Sequence, residues 1–230
     1  MNSIVGIAGA GGFGRTVMPL ARASCLANEK LCYVEKDKIS NTINGIECIT
    51  EEEFLTSPLP KYFNVAISDS ALRTKIVEKY VSFGATPRSI TCESVKIFDD
   101  VQIGEGAILC SHTMVTSNIR IGKFFHANIY SYVEHDCIIG DFVTFAPGVK
   151  CNGNVVIDDH CYVGAGAILR DGRPEKPLRI GKNAIIGMGA VVVDDVPEGA
   201  IMVGNPARPL ERGHLYGRRN VISADRGFGL

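Results

Sequence analysis

Nowhere in this 230-residue chain does an apolar run approach eighteen residues, so no segment is long enough to be a membrane-spanning helix. Charge is lacking too: 24 Lys and Arg face 25 Asp and Glu, a formal balance of -1 that offers nucleic acid or a membrane surface no basic patch. The opening residues, MNSIVGIAGAGG, have no basic n-region and predict a buried strand running into a glycine turn rather than a secretory leader. A soluble, cytoplasmic protein of one or two domains is expected. The eight cysteines include no C-x-x-C pair, which points to structural thiols and away from a disulfide framework or a zinc motif. The histidines, at 112, 126, 135, 160 and 214, include no close pair, so no metal site is expected.

What the chain does have is a repeat. From Ile97 to Leu169 every sixth residue is apolar: Ile97, Ile103, Leu109, Val115, Ile121, Ala127, Val133, Ile139, Phe145, Cys151, Ile157, Val163 and Leu169. Chance would produce such a run about four times in a hundred thousand, and a period of six matches neither a helix nor a half-buried strand. Positions two residues earlier are small or apolar, and glycine often follows the sixth position, as at Gly104, Gly122, Gly140 and Gly164. Each hexad thus supplies a short strand and a corner. Stacked, such hexads build a parallel β-helix of triangular coils, with the apolar residue of every hexad filling the axis. The register breaks from Arg170 to Arg179 and resumes at Ile180, Ile186 and Val192, so a loop around Arg173 to Pro177 should project from one corner. Loops leaving one face of a solenoid often form its binding surface.

Ahead of the repeat, Ser3 to Ala8 reads as a buried strand. Gly9-Ala10-Gly11-Gly12-Phe13-Gly14 then matches G-x-G-x-x-G, and a helix is expected from Arg15 to about Ala27. Amides at such a helix start can approach a pyrophosphate. A second strand, Leu31 to Val34, ends at Glu35, where an acid commonly meets a ribose or base. Strands near Asn64 to Ser68 and Arg88 to Thr91, with a helix from Ala71 to Val81, complete a small Rossmann-like α/β unit. Ninety residues hold one mononucleotide half, which favours a single nucleotide diphosphate, such as a nucleotide sugar, over a dinucleotide. The expected organisation is therefore an α/β nucleotide-sugar domain over residues 1–92, an all-β helix over 95–205 and a capping tail over 206–230. The tail carries five arginines, from Arg208 to Arg226.

Of the five histidines, His135 lies between two carboxylates, Glu134 and Asp136. Two places past the inward Val133, it should point away from the axis. A carboxylate accepting its ring N–H would fix the tautomer and strengthen it as a base; the sequence leaves open which of the two does so.

A short glycine-rich α/β domain, then hexads holding N-x6-H-[DE] and closing on Val203-Gly204-Asn205-Pro206-Ala207, resembles the bacterial sugar acyltransferases of the NeuD and PglD type. The resemblance implies a left-handed β-helix, a homotrimer and acetyl-CoA bound in clefts between neighbouring prisms. It casts His135 as general base, Asp136 as its carboxylate and Asn128 as a group near the thioester carbonyl. It also implies that Gly11, Gly12, Phe13, Glu35, Lys36 and Ser68 bind the nucleotide-linked amino sugar, and that Thr144, Ala165 and Met188 contact acetyl-CoA. The implied reaction is N-acetylation of a nucleotide-linked 4-amino-4,6-dideoxy sugar for O-antigen or other surface glycan. Sugar O-acetylation, as of sialic acid, and a non-enzymatic scaffold are the alternatives. The chain departs from the PglD pattern in having Glu35-Lys36 where that branch has two acids, Thr144 where it has a histidine, and the Arg173 to Pro177 insertion.

Overall fold

A computed structural model describes residues 1–37 and 40–210. The first unit is a sheet, parallel except for its edge hairpin, built on β1 (Ser3–Ala8), every residue of which is buried. Around it lie β2 (Glu29–Glu35), β3 (Thr42–Ile43), β4 (Ile46–Thr50), β5 (Lys61–Val65) and β6 (Thr86–Pro87), in the order β3-β4-β2-β1-β5-β6. Helices α1 (Gly12–Ser24), α2 (Glu51–Leu55) and α3 (Ser70–Ser82) connect them. The sequence missed the β3–β4 hairpin and α2, and it started α1 three residues late. Gly12 to Gly14 already lie in the helix, which starts after Gly11 without a side-chain cap. The α/β unit is Rossmann-like, and the chain departs from β1 and β5 to opposite sides, which leaves a crevice at their carboxyl ends.

The strand expected over Arg88 to Thr91 is divided. Ile90–Thr91 pairs with Ile108–Leu109 and so opens the second unit, a left-handed β-helix with three faces. The first face runs through Ile108–Leu109, His126–Ala127, Thr144–Phe145, Tyr162–Val163, Ile185–Ile186 and Ile201–Val203. The second runs from Lys96–Ile97 through Tyr132–Val133 to Val191–Val192, and the third from Val101–Ile103 to Leu178–Ile180. Register advances eighteen residues per coil, as in His126 to Thr144. Across the interruption it advances twenty-three, as in Leu169 to Val192, so five residues are inserted without breaking any ladder. They form a turn in which Arg173 bridges Lys176, at the corner between the second and third faces.

The hexad residues fill the axis: Val115, Ala127, Val133, Phe145, Cys151, Val163 and Leu169 are wholly buried. Each such Val, Leu or Phe adds on the order of 1.5–3 kcal/mol by leaving water. Ile97, 45% exposed, and half-buried Ile103 are exceptions because they stand in the first, half-covered coil. Burial pushes the thiols of Cys110 and Cys161 up to about 12, and the eight cysteines form no disulfide.

The corners are not made where the glycines suggested. Left-handed backbone recurs every six residues at Asp100, Gly106, His112, Asn118, Phe124, Tyr130, Asp136, Phe142, Gly148, Asn154, His160 and Gly166. Gly104, Gly122 and Gly164 instead allow close approach, since a Cβ on any of them would come within 2.7 Å of the next coil's backbone. Positive φ is costly for aromatic residues. Stacking offsets that cost, with Phe124 against Phe142 at 5.3 Å and Phe142 against His160 at 5.3 Å.

The two units share buried contacts. Phe63 stacks on Phe124 at 6.2 Å, and Asn64 Nδ2 donates to the carbonyls of Arg88 (2.6 Å) and Gly106 (3.2 Å). At the chain end, Arg208–Pro209 runs antiparallel to Ile201–Val203. The rest of the expected capping tail, from residue 211, lies outside the described residues.

Candidate active site

His135 sits at the corner between the second and third faces, on the same edge as the Arg173 to Pro177 loop. Val133 turns inward and the imidazole outward, leaving the His135 side chain 54% exposed. Its Nδ1 lies 2.8 Å from Asp136 Oδ2. Asp136 is therefore the carboxylate on the ring, which closes the choice left open between it and Glu134. With Nδ1 donating, the free lone pair is on Nε2. Asn118 Nδ2 donates to the other carboxylate oxygen, Oδ1, at 3.1 Å. These two hydrogen bonds, the histidine's first, hold the Asp136 carboxyl below its ordinary range. The amide of Asn154 donates to the His135 carbonyl at 2.9 Å, fixing the backbone beneath the ring. The left-handed φ of Asp136 is no sign of catalytic strain, because the residue at every neighbouring corner shares it.

Asn128 is not brought to this histidine. It occupies the preceding corner, with Tyr132–Val133 between them, and its Oδ1 accepts from the amide of Ile129 at 2.8 Å. Ala165 and Met188 are exposed on that same preceding corner, where Gly166 and Gly189 have open space in place of side chains. Thr144 differs from the expectation. Its side chain is buried under the α/β unit, and its hydroxyl accepts from Arg73 Nη1 at 3.1 Å, so it faces the arginine rather than an open cleft.

The glycine loop divides by role. Gly14 is required by packing, since a Cβ there would lie 1.8 Å from the Gly9 carbonyl. Gly11 and Gly12 face open space at the uncapped start of α1, where amides are available to an anion. Glu35 turns back beneath the loop and accepts from the Ala10 amide, while Lys36 beside it is exposed. Phe13 leans on His126, ring centroids 5.1 Å apart. Ser68, past the end of β5, lines a cleft of about 430 Å³ with Asp69, Ser70, His160, Tyr162, Asn183 and Ile185. The structure thus gathers the expected nucleotide residues along the carboxyl ends of β1, β2 and β5.

Sequence reasoning missed Arg73. Wholly buried on α3, it donates to the carbonyls of Ile67 (2.7 Å) and Phe142 (2.5 Å) and to Thr144, and its Nη1 lies 3.2 Å from His126 Nδ1. Burial pulls its guanidinium down to about 9, so it remains charged at neutral pH. An arginine on a helix face signals nothing until that face is docked.

A triangular β-helix with a carboxylate-held, outward histidine at one corner, carrying a small α/β domain with an open glycine loop, defines a hexapeptide-repeat acyltransferase architecture. Residues 5–80 match the model of the PglD N-terminal domain. The chain is 45% identical over 215 residues to the GDP-perosamine N-acetyltransferase of Escherichia coli O157:H7, across 91% of this chain and 97% of that protein. It belongs to the NeuD/PglD-like family of bacterial sugar acyltransferases. Among solved structures, WeeI from Acinetobacter baumannii AYE is 49% identical with a TM-score of 0.88, over 90% of this chain and all of that one. The acetyltransferase domain of PglB from Neisseria gonorrhoeae FA1090, in complex with acetyl coenzyme A, is 28% identical with a TM-score of 0.81, over 91% of this chain and all of that one.

Proposed function

We propose that this protein transfers the acetyl group of acetyl-CoA to the amine of a nucleotide-linked 4-amino-4,6-dideoxyhexose, with a GDP-linked sugar as first choice. The observation that carries the reading is the ordered His135–Asp136 pair on a hexapeptide prism, in a chain 45% identical to a GDP-perosamine N-acetyltransferase. A glycine loop open to a diphosphate suits a nucleotide-linked acceptor and has no evident use in acetylating a free sugar.

In the reaction, His135 Nε2 removes a proton from the neutral sugar amine as its nitrogen attacks the thioester carbonyl. The new C–N bond forms as the carbonyl electrons move to oxygen, where an N–H donor meets them. Collapse breaks the C–S bond, and the thiolate leaves with the proton carried by His135. Asp136 keeps Nδ1 protonated throughout, so Nε2 is the nitrogen that takes up the proton and gives it back. No acyl-enzyme is required. Asn128 and His135 stand at successive corners of one prism, so both could serve one thioester only if neighbouring copies supply them. We therefore infer a homotrimer with acetyl-CoA between prisms, along the Ala165 and Met188 edge. The amino sugar would lie on Gly11, Gly12, Phe13, Glu35, Lys36 and Ser68, in a cytoplasmic step of surface-glycan assembly.

Thiol release from acetyl-CoA, measured with GDP-, UDP- and dTDP-linked 4-amino sugars, tests the assignment. His135→Ala should cost about 10²- to 10⁴-fold in turnover. Near-normal turnover by that variant, or no thiol release with any of the sugars, would reject the reading.

A further inference from the structure

The coils on either side of His135 carry two residues that catalysis alone does not explain. One coil on, the residue stacked on His135 is Gly153, and a Cβ added there would lie 2.5 Å from the ring's Cε1, 2.7 Å from Nε2 and 2.9 Å from Nδ1. Gly153 does not use the left-handed backbone that demands glycine elsewhere in the prism. Nor is it pressed by main chain as Gly104 and Gly122 are: the three nearest atoms to its missing side chain all belong to the imidazole. The ring occupies the space that any other residue at 153 would fill. One coil back, Asn118 sits at the corner equivalent to Asp136 and donates to the carboxylate oxygen that the histidine leaves free. Without that bond the carboxylate could turn about its own axis and carry the ring with it.

Resting on the reading of His135 as the base, we propose that Gly153 and Asn118 are positioning residues that aim its Nε2: Gly153 by leaving room for the ring and Asn118 by anchoring the carboxylate that holds it. Neither touches the reacting atoms in this role. Both act through His135, so their effects must vanish when the imidazole is gone.

The test compares Gly153→Ala and Asn118→Ala, each alone and each combined with His135→Ala, by thiol release with separate KM values for acetyl-CoA and acceptor. Gly153→Ala should lower kcat about tenfold or more, with both KM values within about twofold and an unchanged melting temperature. Asn118→Ala should lower kcat less and, in ¹⁵N spectra of the His135 ring, move it from the Nδ1–H form toward a mixture of tautomers. In the His135→Ala background neither substitution should alter the residual rate. Wild-type turnover by Gly153→Ala overturns the proposal, as does an equal loss with and without His135, which marks a general structural fault. Should Gly153→Ala fail to fold, Asn118→Ala carries the test from its exposed corner, and an unchanged ring spectrum with unchanged kcat overturns the proposal. Near-normal turnover by His135→Ala alone rejects the base assignment instead, so the two failures are distinguishable.

Discussion

His126 and His135 stand nine residues apart in the same repeat, both outside the prism axis, yet their surroundings are opposite. His126 is wholly buried beneath the α/β unit, against a guanidinium and the Phe13 ring. Burial first, then the Arg73 charge, pushes it well below the usual histidine range, although the Val65 carbonyl pulls the other way. His135 is exposed and held by an ionised carboxylate. The first is a packed, uncharged acceptor and the second stands open to solvent. Which of them is available to chemistry is decided by which face of the prism the α/β unit covers, a choice made by docking rather than by the hexads.

The largest effect that could break this contrast is at Arg73. Arg73→Met should cost about 3–5 kcal/mol in denaturant unfolding, because it strands the Thr144 hydroxyl, the Phe142 carbonyl and His126 without their donor. A loss below about 1 kcal/mol would show that His126 does not depend on the cation. Next in size, Asp136→Asn should lower turnover about tenfold or more, short of the 10² to 10⁴ expected for removing the base itself. Glu134→Gln should leave turnover near wild type, and equal effects of the two would mean that the observed pairing does not govern the ring. The smallest effect concerns pH. His126 is depressed in the folded state, so its neutral form costs nothing above about pH 6.5, while below that value the unfolded chain takes up a proton the folded one refuses. Stability should therefore fall by about 1.4 kcal/mol per pH unit from pH 6.5 downward, and His126→Phe should flatten that slope. Asp136, depressed as a carboxyl, makes its full contribution above the ordinary carboxylate range and loses it progressively as pH falls through that range to its lowered value. Because Asp136 is half exposed, that contribution is small, and the two windows do not coincide.

The prism was legible in the sequence because each coil buries its hexad residues in the same way, so local pattern and final packing agree. His135 and an adjacent carboxylate were legible for a similar reason, since neighbours at a corner need no tertiary contact to meet, but Asp136 rather than Glu134 emerged only from the geometry. The start of α1 was misread because a glycine-rich stretch carries no capping signal either way. The Arg73, His126 and Thr144 cluster spans 71 residues of chain and exists only because α3 docks on the first face, which no local spacing records. Gly153 and Asn118 are an intermediate case. Once the coil length of eighteen is known, adding it to His135 and subtracting it from Asp136 finds both.

The left-handed corners form three columns that climb the prism, each with its own composition. One carries Asp100, Asn118, Asp136 and Asn154, another Gly106, Phe124, Phe142 and His160, and the third His112, Tyr130, Gly148 and Gly166. Inserting or deleting a whole coil would lengthen or shorten every column and leave each in its place. Gaining a single hexad would rotate all that follows by a third of a turn and carry the polar edge onto the aromatic one; losing one would bring the glycine edge there instead, against the α/β domain. Such a barrel can therefore be lengthened only in whole coils, and length changes of any other size, such as the five residues around Arg173, survive by being looped out at a corner.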